Sequence, residues 1–240
     1  FKGMSALFTN KNNFALAFTS SLFWAIIFNY LIQSAIKSDS GVPVHGTVVA
    51  GATVFQIIIL SLIFMLAYLL INRYVAATAF IIVAGALFSL ANMIKFSERK
   101  EPVYVSELSW LSNPQILLSF VDRKMIMIAI GALIVLILVV VFLSRKFFTG
   151  KLMTWKVRGF VLLALVLVYL PIYQNFKTFT KQDEQISVPL LTRYINVANG
   201  DVLWKGSPHT ARTKSLSYVW LRQIYGEAME QPTGYSKEKI

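Results

Sequence analysis

Few residues in this chain have the chemistry for catalysis. Its two histidines, His45 and His209, lack partners at metal-ligand spacing, and there is no cysteine to act as a thiolate ligand, a nucleophile or half of a disulfide. No HExxH, GxSxG or P-loop pattern occurs. Asp183 and Glu184 form an acidic pair in a polar segment, and their simplest role is to solvate it. What remains is a set of charges around Lys95, Arg99 and Lys100, interleaved with Glu98, Glu101 and Glu107. Cations so placed suit the phosphate of a lipid headgroup, and an Arg can hold phosphate through two parallel hydrogen bonds. Ordinary flanking charge, balanced by the neighbouring glutamates, is the competing reading of the same residues.

The elements that must position these charges are apolar. Of 240 residues, 56% are hydrophobic and 14% are charged, against roughly a quarter charged in a soluble domain. The deficit comes in blocks, which is the signature of a polytopic membrane protein. The net charge of +12 gathers beside those blocks, where it sets topology and meets anionic lipid; nucleic acid is not an expected partner. The predicted class is all-α, with five spans at about 14–36, 47–71, 74–94, 125–143 and 160–173. Asn72-Arg73 is a minimal turn, so the second and third spans form an antiparallel hairpin. Asn29 and Gln33, four apart in the first span, share one helical face and suit interhelical hydrogen bonds. Pro171, near the end of the last span, is expected to kink or stop its helix.

Orientation follows from Lys and Arg in the short loops. With the N-terminus cytoplasmic, the inner segments carry Lys2, Lys11, Arg73, Arg145, Lys146, Lys151, Lys156 and Arg158 with no acid. The Lys95–Lys124 interval and the tail are then extracellular. In that interval Asn113-Pro114 signals a helix start. Ile116, Leu117, Phe120 and Val121 give the helix an apolar face for the headgroup layer, and Trp110 fits an interfacial aromatic belt. The expected division is a five-helix membrane domain over 1–175 and an extracellular helical connector over 176–240. A helical pattern from about Ser217 to Met229, with Leu221, Ile224, Tyr225 and Ala228 on one face, is the connector's clearest element. It holds too little apolar material for its own core, and the chain reads as truncated before something larger.

The pattern Asn92-x-x-Lys95-x-x-x-Arg99-x-x-Pro102, followed by Ser106-Glu107-Leu108, resembles the lipoteichoic acid synthase family, the phosphoglycerol transferases of Gram-positive bacteria. The five spans in order, the Asn199-Gly200 turn, the helix around Tyr218–Met229 and the closing Met229–Ile240 stretch are similar too. The resemblance implies an extracellular sulfatase-like domain beyond this chain. That domain would carry a Thr nucleophile and a divalent metal, usually manganese, and would move glycerol phosphate from phosphatidylglycerol to an envelope polymer or glycan. None of its catalytic residues lies in this sequence. The expected role here is to anchor and position that domain, with Lys95, Arg99, Lys100, Glu107 and Trp110 meeting lipid headgroups or the domain itself. The alternatives are a non-enzymatic scaffold that recruits other envelope-biosynthesis proteins, and a small transporter or flippase. The uncharged span centres disfavour transport.

Overall fold

The computed structural model describes residues 13–36, 52–105, 107, 131, 134–135, 137–142, 150–182, 211–212 and 214–225. The described residues contain helices and no strand: α1 (Phe14–Ala35), α2 (Ala52–Ile71), α3 (Tyr74–Arg99), α4 (Trp155–Gln182) and α5 (Leu216–Tyr225). The first four are long and apolar enough to cross a membrane. An uncharged run of about 20 residues must satisfy its own backbone in hydrocarbon, and the helix is the one local solution. Phe23, Tyr30, Leu70, Phe80, Leu87 and Phe160 are exposed on the outside of the helices. This reverses the usual soluble pattern and is the surface lipid would cover. The chain is a multi-pass membrane protein.

α1, α2 and α3 pack against one another around Phe28, Phe64, Met65, Tyr68 and Ile81. The α2–α3 turn is as tight as predicted. Asn72 takes the left-handed conformation at φ 52°, which Asn tolerates better than most residues. Its side chain then makes a reciprocal pair with Met153: the Met153 N–H donates to Asn72 Oδ1 at 2.8 Å, and Asn72 Nδ2 donates to the Met153 carbonyl at 3.1 Å. The Leu152 N–H bonds the Asn72 carbonyl, and the Asn13 N–H bonds the Leu152 carbonyl. Three distant segments are thus tied together at this end of the bundle, with Leu152 and Met153 buried.

Several boundaries differ from the predicted spans. α3 continues past 94 to Arg99, so the first five residues of the charged interval are helix and not loop. It ends where Lys100 turns left-handed at φ 58° and its N–H bonds the Phe96 carbonyl, two residues before Pro102, a common way to stop a helix. α4 begins at Trp155, inside the predicted basic linker, and runs through Pro171 to Gln182. Positions 131, 134–135 and 137–142 of the predicted fourth span are helical. Residues 47–51, the predicted helix at Asn113–Lys124, and the tail at 183–210, 213 and 226–240 lie beyond the described residues, while 176–182 of the predicted connector continue α4.

Candidate functional site at the tail end of the bundle

α5 settles on the end of the bundle opposite Asn72, and the polar half of that contact starts from carboxamides in apolar helices. Gln56 is fully buried in α2. Its Nε2 donates to Asn29 Oδ1 of α1 at 3.1 Å, and its Oε1 accepts from the Ser217 N–H at 3.3 Å. Gln33 Nε2, one turn above Asn29, donates to the Ala211 carbonyl at 3.2 Å. The interhelical role expected of Asn29 is met, while Gln33 bonds the tail and not another span. Gln56 thus partners an N–H in the first turn of α5, and Gln33 a buried carbonyl in the segment just before it. Ser215, at φ 90°, caps α5 by accepting the Tyr218 N–H at its Oγ.

The ring and aliphatic side of the contact has three parts. Tyr218 and Leu221 pack with Phe55, Ile59, Ile172 and Phe176, which joins α5 to α2 and α4. Trp220 stands edge-on to Phe88 of α3 at 5.2 Å between ring centroids. Tyr225 bonds Tyr169 through their hydroxyls and meets Tyr173 edge-on. Burial pushes the Tyr218 hydroxyl pKa up, and the nearby Arg222 partly offsets this.

The described start of the charged interval, residues 95–105 and 107, is folded onto the same surface. Asn92, buried in α3, donates to the Ile32 carbonyl of α1 and accepts from the Val103 N–H at 3.0 Å. Lys95 Nζ forms an ion pair with Glu107 at 2.7 Å, donates to the Pro102 carbonyl at 2.7 Å and lies 4.2 Å from the Tyr104 ring centre. The other Glu107 oxygen accepts from the Tyr104 N–H at 3.0 Å. Pro102, Tyr104 and Glu107 therefore surround one ammonium group. Two bonds then join this loop to α5: Trp220 Nε1 to the Val103 carbonyl at 2.8 Å, and the Val105 N–H to Gln223 Oε1 at 3.0 Å.

Of the five predicted site residues, the structure brings Lys95 and Glu107 together and commits them to each other. Arg99 and Lys100 stand exposed at the end of α3, with Lys100 Nζ reaching the Ser97 carbonyl. Trp110 lies outside the described residues. Sequence reasoning passed over Gln56, Trp220 and Gln223. The signal available for Gln56 was a lone carboxamide in an otherwise hydrocarbon span, a costly placement without a partner. Among the described residues no group of three His, Cys, Asp or Glu could hold a metal. No family model, curated protein or solved structure matches the chain.

Proposed function

We propose that this chain is the membrane and connector part of a phosphoglycerol transferase, serving to anchor and orient an extracellular catalytic domain at phosphatidylglycerol. The observation that carries the reading is the fastening of α5 to the bundle by Gln33, Gln56, Trp220 and Gln223. A passive tether needs no such fixed geometry. A connector that sets the height and direction of a neighbouring domain does, because positioning contributes to catalysis only when it is held closely. Arg99 and Lys100 stand exposed beside this surface and supply the cations for a phosphodiester headgroup.

A five-span topology with the tail outside fits this role. α3 leaves the bundle at the end that holds α5, whereas Leu152 rejoins it at the Asn72 end. The intervening chain must return the length of α3, whose 26 residues span about 39 Å at a rise of ~1.5 Å each. We assign that return to the predicted span at 125–143, of which residues 131, 134–135 and 137–142 are helical.

The test uses the complete protein in phosphatidylglycerol vesicles, measuring release of diacylglycerol and transfer of glycerol phosphate. Transfer by the wild type, reduced several-fold in Arg99→Ala/Lys100→Ala at unchanged expression, is the expected result. Absence of any transfer favours a scaffold, and unchanged transfer in the double variant removes the headgroup role.

A further inference from the structure

A cavity of about 260 Å³ opens among α1, α2, α3 and α5. Its α2 wall is Gln56, Ile59, Leu60, Ile63 and Phe64, one helical face at i, i+3, i+4, i+7 and i+8. Phe28 of α1 and Gly85 of α3 also line it, and Trp220 and Leu221 of α5 border it from the tail end. The polar groups of the lining, Gln56 and Ser217, both lie at that end and bond each other. Everything below them is hydrocarbon or aromatic ring, apart from the Gly85 backbone.

Size and direction together name an occupant. An apolar cavity of ~150 Å³ in a protein stays dry and takes a benzene-sized guest, so this larger one suits a longer hydrocarbon and not water. From Gln56 to Phe64 the wall descends about 12 Å at ~1.5 Å per residue, close to one leaflet of a hydrocarbon core ~30 Å thick. The groove lies between helices long and apolar enough to cross a membrane, where acyl chains are the surrounding solvent. Its polar end faces the same side as the cationic end of α3, so a chain inside would point its headgroup toward Arg99 and Lys100.

We propose that this groove holds one acyl chain of a glycerophospholipid from the leaflet on the α5 side, with α5 closing over the chain. This goes beyond the transfer reading, because the groove takes lipid whether or not glycerol phosphate is moved. Gly85 shapes the wall: a Cβ there would meet the tip of the Phe28 ring at 2.4 Å, so glycine is what lets that ring end against the α3 backbone beside the groove.

Trp220 gives the groove its own reporter. The full chain, with Trp24, Trp110, Trp155 and Trp204 changed to Phe, is reconstituted in phosphatidylcholine vesicles containing a minor fraction of lipid brominated along one chain. Phosphatidylglycerol and phosphatidylcholine are compared as the brominated species. The expected result is Trp220 quenching well above that predicted from the brominated fraction and saturable by unbrominated lipid. It is lost in Ala84→Phe or Ile63→Phe, which fill the groove, while melting temperature is retained. Preference for one headgroup would assign the lipid class; equal quenching would assign the chain alone. Quenching that only follows the brominated fraction, or that survives both filled variants, overturns the proposal. So does a dimer that the filled variants convert to monomer, since a second copy would then be the occupant.

Discussion

The Trp220 indole N–H donates to the Val103 carbonyl at 2.8 Å across 117 residues of sequence. That bond joins the charged loop after α3 to the helix of the tail, and Trp220 also roofs the apolar groove. Trp220→Phe keeps an aromatic ring beside Phe88 and removes the donor, together with part of the indole's bulk. A net hydrogen bond is worth about 1 kcal/mol, so opening of α5 should rise roughly fivefold. Amide exchange in α5 reads this directly, and Trp220→Ala should exceed it by losing the ring contact as well.

Lys95 and Glu107 make a partly buried pair, at 13% and 17% side-chain exposure. Lys95→Met leaves a desolvated carboxylate that still holds the Tyr104 N–H. Breaking a fully buried pair costs about 3–5 kcal/mol; the remaining solvent contact reduces the expectation here to roughly 1–3 kcal/mol. Lys95→Met/Glu107→Gln should lose less than Lys95→Met alone. Thermal unfolding of all four proteins in detergent closes the double-mutant cycle.

Asn72 combines a left-handed backbone with two side-chain bonds to Met153. Asn72→Gly retains the backbone conformation and loses the bonds. Asn72→Ala loses both, and should melt below the glycine variant by the equivalent of about 1 kcal/mol. Equal melting of the two would show that the backbone conformation contributes nothing.

Gly85→Ala places a methyl group into the Phe28 ring, and overpacking of this kind costs about 1–3 kcal/mol. Phe28→Leu gives the methyl room. The Gly85→Ala/Phe28→Leu protein should therefore be more stable than the sum of the two single changes predicts, which melting temperatures decide.

Tyr218 is fully buried and its pKa is raised above its ordinary value of 10.0. The folded form favours the neutral phenol, so its contribution is complete below pH 10 and is lost as pH climbs through the raised value. Protease protection of α5 should fall on alkaline titration in the wild type and persist further in Tyr218→Phe. Identical profiles would assign the loss to other groups.

The sequence by itself determined the membrane class, the α2–α3 turn and most helix positions. These rest on local properties: block hydropathy, helical period, and the tolerance of Asn72 for a left-handed turn. Charge position pointed to Lys95, Arg99, Lys100 and Glu107, but side-chain type cannot say which charges pair. The tertiary structure decided that Lys95 and Glu107 neutralise each other, while Arg99 and Lys100 stay exposed. It extended α3 into the charged interval and carried α4 through Pro171. It also decided where α5 docks. Gln56 bonds Ser217 and Trp220 bonds Val103 over separations of 161 and 117 residues, and no periodicity encodes such partners. The groove is equally non-local: a single α2 face with period 3.6 looks like any packing face until α1, α3 and α5 stand around it without filling it.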